Sequence, residues 1–386
     1  MLRRRVRVHL HPAWRDQGPI TRHQRHAPDI PEAVPAAALT TALIKTKNTA
    51  GLYATAVRSS DIQHPSSHFL HQHLSQSIMQ SIPDQHRALV LENRESGLEL
   101  KTIPTPQPGP GSAVVRIEAT CILPYYQQVI RHYPIPTPLV GGFGAIGRIA
   151  AVGHDAVTLK PGQLVYVDSV IHARDNPDDS FLSGVIEGFT DGSKYLMRHV
   201  WRDSSFAEYM KAPLENCIPL NEDRLCKGLN YSIPQLMYMA YLLIPYGGLR
   251  DIGLEPGETI VICPATGGYG GAAVQVAVSM GARVIAMGRS TEKLANLKEH
   301  VQKTWPSASF DTAVIAGDEA KDLETLRDFG TIDAVLDLTP STASASTHTK
   351  SAIRALRLGG RISLMGSTKN IGAGEILVNS ITLKGK

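Results

Sequence analysis

At 386 residues the chain is long enough for two domains, each with a core of its own. Its composition, 42% hydrophobic and 19% charged, is that of a folded globular protein, and no run of about 18 apolar residues is present to span a bilayer. The formal charge of +4 is unevenly spread: residues 1–85 carry ten Lys/Arg against five Asp/Glu and the remainder 29 against 30, so the body of the chain has no basic excess and nucleic acid is not expected as a partner.

Residues 1–85 read differently from the rest. They hold eight of the fifteen histidines and show little hydrophobic periodicity, which predicts a poorly ordered extension. The opening "MLRRRVRVHLHPAWR" is arginine-rich and acid-free, so it reads either as a mitochondrial transit peptide or as sequence upstream of the true start. A cytoplasmic location is the expectation, with a mitochondrial one if the transit reading holds. The cluster "HPSSHFLHQH", His64–His73, contains no carboxylate or cysteine and reads as a low-complexity tail.

From His86 the text changes. "RALVLEN", "LELKTIP", "SAVVRIEAT", "GRIAAVG", "GQLVYVD" and "FAEYMKAP" alternate as half-buried strands do, predicting a β-rich domain over 86–230. The stretch from His172 to Phe206 reads as an insertion with specificity loops. A helical zone is predicted over roughly 232–243, with Tyr246-Gly247-Gly248 read either as part of a cleft lining or as a helix-ending turn.

From Glu258 strands alternate with amphipathic helices. "TIVICPA", "ARVIAM", "DTAVIAG", "IDAVLDL", "RISLMGS" and "SITLKGK" are six apolar β runs, which predict a doubly wound, six-stranded parallel sheet and an α/β domain over 231–386. Cys121, Cys217, Cys226 and Cys263 form no C-x-x-C pair, so neither a disulfide framework nor a structural zinc is expected.

The first strand-to-helix junction reads "TIVICPATGGYGGAAVQVAVSMGARVIAMGRS". Thr266, Gly267, Gly268, Tyr269 and Gly270 form a variant of the dinucleotide fingerprint, where bare backbone can approach a pyrophosphate at a helix start. The second strand ends in Gly288-Arg289-Ser290 rather than an acidic residue. Losing that carboxylate removes repulsion toward a 2′-phosphate, and Arg289, with Ser290 and Lys293, can bind one; NADP(H) is therefore favoured over NAD(H). Gly366 and Ser367 stand at the carboxyl end of the fifth strand and are expected near the nicotinamide. His348 is placed at a helix start, away from the chemistry.

Together, "GGFGAIGRIAAVG", "LKPGQLVYVD", the glycine loop and "GGRISLMGS" resemble the medium-chain dehydrogenase/reductase superfamily over about residues 86–386. The wording is most similar to zinc-independent fungal members described as alcohol dehydrogenases or quinone oxidoreductases, some of them in secondary metabolism. The resemblance implies a GroES-like substrate domain, a Rossmann NADP-binding domain and a cleft between them. It also places zinc ligands at positions that here are Leu123, Phe143 and Gly144, so no metal is expected.

Without zinc the chemistry leans toward acceptors that are already electrophilic: enones, quinones, enoyl thioesters and activated aldehydes. A phenol then has to supply the proton. Similarity to enoyl reductases of the superfamily puts Tyr133 at their proton donor, with Tyr126 and Tyr125 as neighbours that could face the nicotinamide. A small-molecule substrate is the expected partner, and a homodimer is left open. Members of the resembled family continue past the sixth strand, so the chain reads as truncated after "SITLKGK", and an inactive NADP(H)-binding relative is the second functional expectation.

Overall fold

The computed structural model describes residues 82–367, Ile371 and the backbone of residues 382–385. The expectations for the first 81 residues, the transit-like start and the histidine cluster among them, lie outside the described residues.

The first part is built of short strands, with two helices inserted. In chain order they are β1 (Gln85–Leu91), β2 (Leu98–Pro104), β3 (Ser112–Thr120), α1 (Tyr126–His132), β4 (Leu139–Val140), β5 (Ala145–Val152), β6 (Leu164–Val167), β7 (Val170–His172), β8 (Ser180–Leu182), α2 (Asp191–His199), β9 (Tyr209–Pro213) and β10 (Cys217–Pro219). They assemble as a sheet β2-β1-β4, a five-stranded sheet β10-β6-β5-β3-β9 and the hairpin β7-β8. The stretch read as an insertion supplies that hairpin and α2. α2 starts where the Thr190 hydroxyl accepts from the Ser193 amide at 3.1 Å, an N-cap. One core holds Leu91, Leu123, Val129, Leu139, Phe143 and Met197, and a second, on the other face of the five-stranded sheet, holds Ala113, Val115, Ile149 and Val165.

Next come α3 (Ile233–Leu236) and α4 (Met239–Asp251). "SIPQ" opens α3 as a capping box: the Ser232 hydroxyl and the Gln235 side chain each satisfy the other's backbone amide, and the proline sits in the first turn where its missing N–H costs nothing. α4 runs through Pro245, Gly247 and Gly248, beyond the expected end near residue 243. Tertiary packing explains the difference. A Cβ on Gly248 would crowd the Met365 sulfur and stand 3.0 Å from the Ser363 hydroxyl, so a glycine there lets the helix lie close on the sheet.

The second part is β11 (Thr259–Cys263), α5 (Gly268–Ser279), β12 (Arg283–Gly288), α6 (Thr291–Thr304), β13 (Phe310–Val314), α7 (Glu319–Arg327), β14 (Ile332–Asp337), α8 (His348–Ala355), β15 (Leu356–Leu364) and β16 (Thr382–Gly385). The sheet is parallel, in the order β13-β12-β11-β14-β15-β16, as the six apolar runs imply. This order reverses direction at β11/β14, and ligands of such sheets sit at the carboxyl ends near that switch. Every residue of β11 is buried: Ile260 and Ile262 feed one face, Val261 and Cys263 the other. That continuous apolar run is what a strand covered by helices on both faces requires, and each buried Ile or Val contributes about 1.5–3 kcal/mol. No helix among the described residues is long and apolar enough to cross a membrane.

α5 is seated tightly on the end of β11. A Cβ on Gly270 would overlap the Pro264 carbonyl oxygen, whereas the nearest atom to a Cβ on Gly271 is 4.0 Å away. Gly270→Ala is expected to lose about 1–3 kcal/mol in urea unfolding, overpacking outweighing the gain in helix propensity. Gly271→Ala should be neutral or more stable by up to about 1 kcal/mol. Equal effects at the two glycines would contradict this packing.

Candidate active site

β11 delivers the chain to Thr266 and Gly267, and Gly267 precedes α5 in an extended conformation (φ −86°, ψ 173°). The amides of Gly268, Tyr269 and Gly270 lie in the first turn, ahead of any intrahelical acceptor, and so present N–H groups and the positive end of the helix dipole to an anion. Gly267 and Gly268 are exposed, and nothing lies within 4 Å of a Cβ on Gly267. Thr266 leans over the end of the neighbouring strand: its methyl group would be 3.0 Å from a Cβ on Gly288. Arg289 follows, exposed and without an ion pair among the described residues. Ser290 caps α6, its hydroxyl accepting from the Lys293 amide at 3.2 Å. The residues singled out on both strands therefore meet at the carboxyl ends of β11 and β12. Gly366 and Ser367 follow β15 on the far side of β14, where the Met365 amide donates to the Asp337 carbonyl (3.0 Å) and the Ser367 amide to the Thr339 carbonyl (2.7 Å).

Between these two ends lies a buried polar group the sequence did not announce. The Asp337 carboxylate accepts from the hydroxyls of Thr339 (2.5 Å) and Thr349 (2.8 Å), and the Thr339 oxygen is 2.9 Å from His348 Nε2. His348 does start α8, as expected, but it is buried rather than set apart, and burial lowers its proton affinity, helped by the charge of Arg289 and opposed by Asp337 and Asp322. Cys263 joins it: the ligand atoms of Cys263, Asp337 and His348 lie within 4.8 Å of one another. Full burial raises the Cys263 thiol well above its ordinary range. With the Asp337 and His348 atoms already hydrogen-bonded, the trio ties β11, β14 and α8 together.

Residues of the first part and of α4 pack against the start of α5. Cys121, at the end of β3, and Tyr125, just before α1, meet Tyr241 of α4 and Tyr269 of α5. The Tyr241 and Tyr269 rings are 4.9 Å apart, and the Tyr238 ring stacks on Tyr241 at 5.8 Å. The Tyr241 ring reaches the helix start itself, 3.0 Å from a Cβ on Gly268. Its hydroxyl donates to the Ile122 carbonyl at 3.3 Å and neighbours the Cys121 thiol. The Tyr269 hydroxyl is buried without a well-formed hydrogen bond and is coupled to Tyr125. Burial is the main cause that pushes Cys121 up to about 11 and Tyr241 up to about 12, and it raises Tyr125 and Tyr269 as well. All four groups hold their protons at neutral pH.

Of the two tyrosines expected to donate a proton, Tyr126 is committed elsewhere. Its buried hydroxyl donates to the Gly184 carbonyl (2.7 Å) and accepts from the Gly142 amide (2.9 Å). Tyr133 ends α1 with its side chain exposed at 37%, while its carbonyl accepts from Arg94.

The positions the resemblance assigned to zinc hold no ligand atoms. Leu123 and Phe143 are buried in one apolar cluster with Tyr166, Met237 and Ala240, and Gly144 has the Tyr166 hydroxyl and the Met237 methyl beside it. A catalytic zinc, which needs about three N, O or S ligands, does not fit there.

Tyr126 carries a pH prediction. A phenol ionises near pH 10 in the unfolded chain, but burial raises Tyr126 to about 12 in the fold. Its contribution is thus complete below pH 10 and is lost as pH rises toward 12, because the unfolded chain then gives up the proton first. Tyr126→Phe strands two buried backbone groups and should cost about 1–3 kcal/mol at pH 7 in urea unfolding. It should also flatten the loss of stability between pH 10 and 12; an unchanged slope would contradict the assignment.

Residues 109–222 match the family described as "Alcohol dehydrogenase GroES-like domain". Alcohol dehydrogenase 1 of Emericella nidulans is 29% identical over 228 residues, which cover 56% of this chain and 59% of that enzyme, so the aligned part spans less than two thirds of that relative. Acryloyl-coenzyme A reductase of Metallosphaera sedula is 25% identical, covering 73% of this chain and 76% of its own. The fold is shared with an alcohol dehydrogenase superfamily protein from Novosphingobium aromaticivorans (TM-score 0.59, 18% identity, 78% of each chain). It is also shared with acetophenone reductase from Geotrichum candidum in complex with NAD (TM-score 0.57, 18% identity, 79% of this chain and 83% of that one). These likenesses give residues 109–222 a GroES-like domain of the alcohol dehydrogenase type and the chain a two-part fold shared with those dehydrogenases and reductases.

Proposed function

We propose that the chain is a zinc-independent oxidoreductase that uses NADPH to reduce an activated C=C or C=O bond. The observation that carries this reading is the juxtaposition of an open helix start, Gly267–Gly270, with the protonated phenols of Tyr125, Tyr241 and Tyr269, which pack against the apolar cluster that holds Leu123 and Phe143. Two relatives fit the class by name, an alcohol dehydrogenase and an acryloyl-coenzyme A reductase, the second acting on a conjugated double bond.

The first-turn amides of α5 would hold the coenzyme's pyrophosphate, Arg289 its 2′-phosphate, and the backbone at Gly366 and Ser367 the edge of its nicotinamide. When bound, the reduced nicotinamide supplies a hydride. This chain's own residues have two tasks. They exclude water, through the apolar cluster around Leu123 and Phe143, and they stabilise and protonate the oxyanion left on the acceptor. Tyr125 is the proton donor in this reading: it is partly exposed and beside the Tyr269 hydroxyl. A phenol that keeps its proton well above neutral pH donates only to a strongly basic oxygen, and an enolate is such an oxygen.

The test uses dialysed protein with a chelator, NADPH and a panel of enones, quinones and activated aldehydes. Loss of absorbance at 340 nm that persists in the chelator is expected for at least one acceptor class; coenzyme binding without turnover on any acceptor would favour the non-catalytic reading instead. Tyr125→Phe should lower kcat about 10²–10⁴-fold while leaving NADPH affinity unchanged. Arg289→Ala should weaken NADPH binding by about 1.5–3 kcal/mol and NADH binding far less, measured by calorimetry. Equal losses for the two coenzymes would remove Arg289 from the phosphate site.

A further inference from the structure

The hairpin loop between β1 and β2 carries an arginine whose partners all lie outside the loop. The two strands close at the Leu91–Leu98 pair, and residues 92–97 make the turn. Asn93 folds it: its Oδ1 accepts from the amides of Glu95 (3.0 Å) and Ser96 (2.8 Å). Gly97 ends it at φ +74°, a left-handed conformation that suits glycine. Glu92, Asn93, Glu95 and Ser96 are exposed, but Arg94 among them is half-buried and reaches to the end of α1.

There the guanidinium meets four main-chain carbonyls. Its Nη1 donates to those of Ile130 and Arg131, each at 3.3 Å, and its Nη2 to those of Tyr133 (2.8 Å) and Ile135 (3.4 Å). α1 has reason to need such a partner. It has only seven residues, well short of the roughly 12–15 at which a helix is marginally stable by itself. It ends at Tyr133 in an extended conformation (φ −85°, ψ 148°) instead of at a left-handed glycine, so its last carbonyls have no local cap. A cation there also complements the negative end of the helix dipole.

One row of hydrogen bonds ties that end of α1 to its beginning. The Tyr133 amide donates to the Val129 carbonyl at 3.0 Å, and the Val129 amide to the Tyr125 carbonyl at 3.1 Å. Val129 is fully buried, so the row is held in the core. At its head stands Tyr125, whose phenol packs beside Tyr269. A displacement at the Arg94 end is passed along the main chain to Tyr125, and a reacting group misplaced by about 1 Å can cost on the order of 10²-fold in rate.

We propose that Arg94 is a positioning residue for the reduction: by capping the end of α1 it sets the pose of the Tyr125 phenol. The proposal rests on the assignment of Tyr125 as proton donor. Arg94 itself touches neither coenzyme nor acceptor; it acts through the 125–129–133 row.

The test combines kinetics and a spectroscopic probe on the full chain, with NADPH as the coenzyme and menadione and 2-cyclohexenone as acceptors. Arg94→Ala should lower kcat about tenfold or more and leave the KM for NADPH unchanged. Millimolar methylguanidinium should restore part of that loss, and Arg94→Lys should keep only part of the activity, since one ammonium cannot fork to four carbonyls. In the Tyr125→Phe background Arg94→Ala should have little further effect on kcat, the signature of one residue acting through the other. With 3-fluorotyrosine incorporated, the fluorine resonance that disappears in Tyr125→Phe should shift or broaden in Arg94→Ala, with or without turnover; melting temperatures check that the variants fold. An equal loss of kcat in both backgrounds, or a Tyr125 resonance that stays in place, overturns the role of Arg94 and leaves Tyr125 as donor. A parent without turnover on either acceptor, or a Tyr125→Phe variant as active as the parent, removes the donor assignment and this role with it.

Discussion

The contact on which the rest of the structure turns is the seating of α5 against the end of β11. Gly270 lets the helix backbone come down onto the Pro264 carbonyl, where a single added methyl group would overlap. That closeness fixes where the first-turn amides point, and it puts Tyr269 one residue into the helix, against the first part of the chain. A helix held further off would still pack, but its positive end would not meet the carboxyl ends of β11, β12 and β14, where Thr266, Arg289 and the Asp337–Thr339–His348 group converge.

The same seating sets Tyr269 against an apolar wall from the first part of the chain. In place of ligand atoms, Leu123 and Phe143 make a dry apolar wall. The polar groups at its edge are Cys121 and the tyrosines, all raised above their ordinary pKa by burial. A Lewis acid polarises an acceptor before reduction, whereas protonated phenols only stabilise and quench the charge once it has formed. Apolar wall and protonated phenols together favour acceptors that are electrophilic on their own. The proposed preference for activated double bonds or carbonyls rests on the physical character of the wall as much as on likeness to other reductases.

How much of this was legible in the sequence depended on the range of the interaction. The parallel sheet was readable because apolar runs alternate with amphipathic helices, most plainly at β11, a doubly covered strand whose every residue is buried. The glycine loop was readable because its cause is local: a turn, a close approach and a helix start within five residues. α4 was cut short because Pro245-Tyr246-Gly247-Gly248 looks like a turn; only packing against Met365 and Ser363, more than a hundred residues away, makes a glycine there helical. The phenol cluster was half visible. Tyr125 and Tyr126 are adjacent, and the start of α1 turns Tyr126 inward to Gly142 and Gly184 while Tyr125 stays toward Tyr269. Tyr241 had no local signal, since its role arises from two parts of the chain meeting across the cleft.

The central claim, that main-chain amides of the first turn of α5 hold a dinucleotide's pyrophosphate, is tested most directly by amide hydrogen exchange of the full chain with and without NADPH. Slowed exchange concentrated at residues 267–271, with a second patch at 288–293, is the expected result. Coenzyme binding, shown by calorimetry on the same sample, without any change in exchange at 267–271 would contradict it.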